Sequence, residues 1–151
     1  MTAAVPSARE RGLQFLRDGA FSDSVEFLLQ AVVEDPSDVN SYLYLGLAYA
    51  QQGDFDKCVE ILEQAADLAP TSAKVHYNLG VAYHKAHRLT QAKDEYLRAL
   101  GLDPTYAVAK AALDIVPTAP SGGPAQPIEL TDAQPPPSEP GPGPDVNAPQ
   151  Q

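Results

Sequence analysis

The sequence has no tryptophan, one cysteine and only ten Lys and Arg residues against twenty Asp and Glu. The lone Cys58 excludes an internal disulfide and lacks the CxxC partner that metal or redox sites use. The formal net charge of -10 disfavours nucleic-acid binding, which depends on clustered Lys and Arg. No apolar run reaches the roughly 18 to 20 residues that cross a bilayer, and the start, MTAAVPSARERG, lacks the apolar segment of a secretion signal. We therefore expect a cytoplasmic protein that binds neither nucleic acid nor membranes.

Proline is scarce before residue 117, where only four of the fifteen prolines lie. Three of these four, Pro36, Pro70 and Pro104, are spaced 34 residues apart. The same interval separates the members of three further sets: Gly12, Gly46 and Gly80; Phe15, Tyr49 and Tyr83; and Ala31, Ala65 and Ala99. A fixed 34-residue period predicts a solenoid of helix-turn-helix units.

Apolar residues within each unit recur at helical rather than strand spacing, which predicts two amphipathic helices per unit. Gly19 and Gly53 break the pattern where the first helix (A) must reverse into the second (B), and His87 stands at that position in the third unit. We predict helices near 7–18, 22–34, 39–52, 55–68, 73–86 and 89–102. A seventh helix near 105–115 is interpreted as a cap over the last unit.

The units resemble the tetratricopeptide repeat (TPR), most closely in the middle copy. There the pattern is carried by Tyr42, Leu45, Gly46, Tyr49, Gly53, Phe55, Leu62, Ala65 and Pro70, with Cys58 where the family usually has alanine. The resemblance implies an all-α fold: a right-handed α-solenoid of three TPR repeats (5–38, 39–72 and 73–106) with a capping helix (105–115), together a TPR domain over 5–115.

In the TPR family the A helices line a concave groove that receives a segment of a partner protein. The groove positions of the family fall here on Arg9, Leu13, Arg17, Asn40, Leu43, Leu47, Gln51, Lys74, Tyr77, Asn78, Val81, His84 and Lys85. The set contains four Lys and Arg residues and no acidic one, although the whole chain is acidic. The sequence therefore predicts a groove for a peptide with acidic groups around an apolar anchor, unless these charges are merely solvated.

Two more specific binding activities fit the sequence poorly. The dicarboxylate clamp, with which some TPR proteins hold the carboxyl end of heat-shock chaperones, is matched or substituted only by Arg9 and Lys74. Leu13, Tyr44 and Asn78 stand where that clamp uses Asn, Asn and Arg. The three histidines, His76, His84 and His87, share one region, but no Cys or carboxylate lies one helical turn from both of the first two, so a metal site is not expected.

No catalytic constellation or phosphate-binding loop is present, and we expect neither an enzyme nor a cofactor requirement. From residue 116 to 151 the chain is rich in Pro, Gly, Gln and Ser, which predicts a disordered tail. The apolar and acidic segment 127–132 of this tail is a hypothetical ligand of the groove. The minimal PxxP spacing also occurs in the tail, but the basic residue that often flanks SH3 ligands is missing.

Three functions remain open at this point. The first is an adaptor that docks a partner peptide in the groove. The second is a chaperone, similar to the three-repeat TPR chaperones of bacterial secretion systems, that sequesters an unfolded client. The third is a structural scaffold that stacks into a homo-oligomer.

Overall fold

The computed structural model describes residues 3–117, which form helices and no strand. The helices are α1 (Ala8–Arg17), α2 (Phe21–Glu34), α3 (Val39–Gln51), α4 (Phe55–Leu68), α5 (Ala73–Lys85), α6 (Leu89–Leu102) and α7 (Ala107–Ile115). All seven predicted helices are therefore present, with ends within two residues of the predicted ones. The predicted tail beyond residue 117, including segment 127–132, lies outside the described residues.

Side chains at the helix starts explain why the A helices begin where they do. Ser7 and Glu10 form a reciprocal capping box at α1, and Asp38 and Ser72 accept hydrogen bonds from the first turns of α3 and α5. Such caps satisfy amide groups that have no partner within the helix. Helices α1, α3 and α5 thus each have a side-chain N-cap.

The turns between A and B helices need a left-handed backbone conformation. Gly19 and Gly53 supply it with φ of 77° and 78°, and His87 adopts φ 59° at the third turn. Glycine reaches this region without steric cost, whereas a residue with a Cβ does not. The prediction that all three positions reverse the chain is confirmed, although the third does so with a histidine.

Each A helix packs closely on its B helix because a glycine faces a large side chain. A Cβ added at Gly12 would lie 2.5 Å from Cγ of Leu28, and one at Gly80 would lie 2.6 Å from Cε1 of Tyr96. Gly46 stands in the same relation to Leu62. Leu28, Leu62 and Tyr96 are all buried, so these contacts form the centre of each repeat.

The repeats stack so that every helix packs against the next one along the chain. In addition, α1 contacts α3 and α3 contacts α5, whereas within residues 3–117 no comparable contact joins α2 with α4 or α4 with α6. The A helices therefore form the tighter, concave layer. The layer continues at α7, which packs on α6 and begins 34 residues after α5.

Helix α7 is thus the A helix of a fourth unit. Lys110 and Asp114 take the places of His76 and Gly80, and both are exposed. A B helix could not approach a charged Asp114 as α6 approaches Gly80, which explains physically why α7 acts as a cap. Val116, which the sequence analysis placed in the tail, is 5% exposed and belongs to the core.

Candidate functional site: the concave groove

All thirteen predicted groove residues lie on α1, α3 and α5, and none of them is buried. Their side chains are therefore accessible from the layer that forms the concave side. Leu43, Tyr77 and Val81 are partly buried and also pack against the core, whereas the Lys and Arg residues of the set are exposed.

The row of predicted groove positions continues on α7, which the sequence analysis missed. Leu13, Leu47, Val81 and Ile115 form a row at the 34-residue interval, one from each A helix. Ile115 is 70% exposed and Val108, one interval after Lys74, is 49% exposed. Continuing the repeat period past Pro104 would have found both residues. Interpreting the last helix only as a cap concealed them.

A cleft between α5 and α7 brings four of the predicted residues together. Tyr77, Val81, His84 and Lys85 line it from α5, and Ala112, Ile115 and Pro117 line it from the other side. The cleft has a volume of about 670 Å³.

The floor of this cleft is held in place by aromatic packing. The Tyr77 ring lies between those of Tyr96 and Tyr106, with centroid distances of 5.9 and 5.5 Å. Because Tyr96 lies on α6 and Tyr106 is the N-cap residue of α7, the position of Tyr77 depends on the fold and not on α5 alone.

The basic residues of the groove differ in their availability. Within residues 3–117, Arg17, Lys74 and Lys85 form no salt bridge. Arg9 instead donates to Asp38 at 2.9 Å. The expectation of four available cations in the groove is therefore reduced to three.

Asp38 is held as a carboxylate by its neighbours. Partial burial raises its pKa, but hydrogen bonds from the Ser41 hydroxyl and the Arg9 guanidinium outweigh that effect, so the pKa lies below its usual value. Arg9 thus has a structural role, joining the first repeat to the start of α3.

Leu13 and Arg17 line a second cleft, which is formed by the first repeat. It has a volume of about 680 Å³ and is also lined by Pro6, Glu10, Arg11, Gln14, Phe15 and Phe27. This cleft contains a carboxylate, Glu10, which the predicted set did not. The two clefts share no lining residue, so the structure separates the predicted residues of α1 from those of α5.

The remaining reactive side chains have packing roles. His76 is buried, with Nδ1 2.6 Å from Glu95 Oε2 and Nε2 2.8 Å from the carbonyl oxygen of Pro70. Cys58 is buried, and burial raises the pKa of its thiol to about 11.

In the described part of the chain no three His, Cys, Asp or Glu side chains converge as a metal site would require. No helix between residues 3 and 117 has the length and apolar character to cross a membrane.

Comparison with known families identifies the repeat. The family model described as anaphase-promoting complex, cyclosome, subunit 3 (ANAPC3) matches residues 22–99, more than half of the chain. The chain belongs to this family of TPR proteins. The predicted fold class, an all-α solenoid of three TPR repeats with a capping helix, is confirmed. No curated protein sequence matches the chain at a significant level.

Solved TPR structures share the fold. The second TPR domain of human RPAP3, in complex with the HSP70 peptide SGPTIEEVD, is 21% identical with a TM-score of 0.69, over 73% of this chain and 92% of that one. The Yersinia enterocolitica type III secretion chaperone SycD, in complex with a peptide of the translocator YopD, is 14% identical with a TM-score of 0.67, over 72% and 88%. MamA is 27% identical with a TM-score of 0.65, over 77% and 64%.

Proposed function

We propose that this TPR protein is a non-enzymatic interaction scaffold that binds an acidic, apolar-anchored segment of another protein in the groove of α3, α5 and α7. The observation that carries the proposal is the α5–α7 cleft, where the apolar side chains of Val81 and Ile115 adjoin Lys85. An exposed apolar surface rimmed by polar groups is typical of an interaction site. The function needs no cofactor.

The apolar and the basic side chains of the groove would contribute to recognition in different ways. An aliphatic or aromatic side chain of the ligand that enters the cleft loses its contact with water, which favours binding by about 1.5 to 3 kcal/mol when burial is complete. A neighbouring carboxylate would accept charge-assisted hydrogen bonds from Lys85 or Lys74, which orient the segment. Neither lysine must first release a carboxylate of the described residues to do so.

The ligand should differ from the chaperone peptide bound by the RPAP3 domain. The dicarboxylate clamp uses Asn, Asn and Arg where this chain has Leu13, Tyr44 and Asn78. The first two positions therefore lack the amide group, and the third lacks the guanidinium group. Arg9, which could have substituted at another clamp position, is bound to Asp38. We propose that recognition depends instead on α5 and α7, so the peptide SGPTIEEVD should bind weakly if at all.

A peptide library displayed on phage provides the first test. Selected sequences should be enriched in an aliphatic or aromatic residue with Asp or Glu nearby. Their affinities are then measured by calorimetry for the wild type, Lys85→Glu and Ile115→Asp. Each substitution should weaken binding at least about tenfold, the usual effect of losing one well-placed contact.

Lys93→Glu is the matched control because it makes the same charge change at an exposed position of α6. It should leave the affinity unchanged. Selected peptides without acidic residues, or equal losses for Lys85→Glu and Lys93→Glu, would overturn the acidic-ligand proposal. Unchanged affinity for Ile115→Asp would remove α7 from the site.

A further inference from the structure

Helix α1 carries a stripe of side chains along the second cleft. We define the α1 stripe as Glu10, Leu13, Gln14 and Arg17, all of which line this cleft. Their spacing of three and four residues places them on one face. Leu13 is half-buried and the others are exposed.

The charges of the α1 stripe are complementary to those of the same stripe on a second copy of the chain. The midpoint between Leu13 and Gln14 is also the midpoint between Glu10 and Arg17. When two copies of a helix pack antiparallel about this midpoint, Glu10 of one copy faces Arg17 of the other, twice over. Leu13 and Gln14 lie on opposite sides of the stripe, about 100° apart around the helix, so Leu13 of one copy then faces Leu13 of the other. A two-fold axis requires self-complementarity of this kind, because the same surface serves on both sides.

The two charged groups, Glu10 and Arg17, are free to make these contacts, whereas the Gln14 amide donates to Asp18. Glu10 uses Oε2 for its capping box with Ser7, at 2.7 and 3.1 Å, while its Oε1 accepts no hydrogen bond from the described residues. Arg17 forms no salt bridge within residues 3–117. A pairing across the axis would therefore leave the helix cap intact.

Apolar surface flanks the α1 stripe. Phe15 and Phe27 are half-buried and stacked, with ring centroids 5.3 Å apart. The Arg11 guanidinium lies 5.6 Å from the centroid of Phe27. Arg11 takes the position of Leu45 and Leu79, which are buried in the following repeats. A polar group thus covers the stack here, and the cleft leaves room for side chains of a second molecule.

We propose that this face of the first repeat binds a second copy of the chain, with the two α1 helices antiparallel and Glu10 paired with Arg17 across a two-fold axis. The cleft carries a carboxylate beside guanidinium groups, so it matches a face that itself carries charges of both signs. The interface is separate from the α5–α7 cleft, so both can be occupied at once.

Sedimentation velocity of the full chain over a concentration series tests the proposal. The wild type should show a monomer–dimer equilibrium that weakens with salt. Arg17→Glu and Glu10→Arg should each raise the dimer dissociation constant at least about tenfold, since each places like charges opposite one another twice. An equimolar mixture of the two variants should recover dimerisation, because both contacts of the mixed pair again join opposite charges.

Two controls separate this effect from damage to the fold. Ser7→Ala removes the capping box but keeps the charge of Glu10, and Lys93→Glu changes charge far from α1; both should dimerise like the wild type. Circular dichroism checks that all variants remain helical. A chain that stays monomeric at every concentration, a dimer insensitive to both reversals, or a mixture that does not recover would each overturn the proposal.

Discussion

His76 of α5 and Glu95 of α6 form a buried polar pair that replaces an apolar contact of the preceding repeat. In that repeat Tyr42 takes the place of His76 and donates its hydroxyl to the carbonyl of Pro36 at 3.1 Å, just as His76 lies 2.8 Å from the carbonyl of Pro70. The place of Glu95 is taken by Ile61, which packs against the buried cluster of Tyr42, Ala65 and Val75. The second and third repeats therefore each bind the carbonyl of the proline that closes the preceding repeat, but only the third adds a carboxylate.

The first prediction is that this pair is interdependent. Glu95→Ile should lower the free energy of unfolding by about 3 kcal/mol, because it leaves a buried His76 nitrogen without its partner. The double variant His76→Tyr/Glu95→Ile, which reproduces the second repeat, should recover most of that loss. Urea unfolding of both variants measures the difference. A double variant no more stable than Glu95→Ile would show that the two positions are not coupled.

The second prediction concerns the close approach of α5 and α6. Gly80→Ala should destabilise the protein by about 1 to 3 kcal/mol, because the new Cβ would overlap the rigid, buried ring of Tyr96. Gly101→Ala is the matched substitution. It lies in α6 with no atom within 4 Å of the added Cβ, so it should stabilise by up to about 1 kcal/mol through helix propensity. Thermal unfolding of the two variants should move in opposite directions.

The third prediction concerns the left-handed turns. His87→Gly should raise the melting temperature slightly, with a gain of up to about 1 kcal/mol, since glycine relieves the strain of φ 59° but adds freedom to the unfolded chain. Gly53→Ala, at the corresponding turn, should cost about 1 kcal/mol for the opposite reason. If His87→Gly destabilised the protein as much as Gly53→Ala does, side-chain contacts of His87 would outweigh its backbone strain.

The fourth prediction is a pH dependence at Asp38. Its pKa is lowered in the folded protein, so the stability it contributes is present above the unfolded pKa of about 3.9 and is lost as the pH falls through the folded value. Asp38→Asn keeps a helix cap but loses this contribution. The stability difference between wild type and Asp38→Asn should therefore be largest near neutral pH and should shrink below about pH 4. Thermal midpoints at a series of pH values measure it, and a difference independent of pH would contradict the assignment.

Much of the fold could be predicted from the sequence, because each repeat contains the residues that determine its own helices and turns. The glycines at the A–B contacts, the turn glycines and the closing prolines recur at one interval, so an error at one position is corrected by the other copies. The confirmed seven helices and the TPR fold follow from this redundancy. The cap at α7 could also be predicted, because the last repeat would otherwise leave its apolar side open to water.

The candidate site was only partly accessible to the same reasoning. Family positions placed the thirteen residues on the A helices, but their division between two clefts depends on how far apart α1 and α5 lie. The pairing of Arg9 with Asp38, 29 residues away, could not be predicted from helix periodicity. Whether the thirteen residues bind a ligand stays a prediction.

The sequence by itself determined the helices, their order and their close packing, because a 34-residue repeat encodes contacts between neighbours along the chain. Only the tertiary structure decided which cations of the described residues remain unpaired and how the predicted residues divide between two clefts. These features depend on the stacking of whole repeats. Side chains far apart in the chain meet or remain exposed only once that stacking is complete.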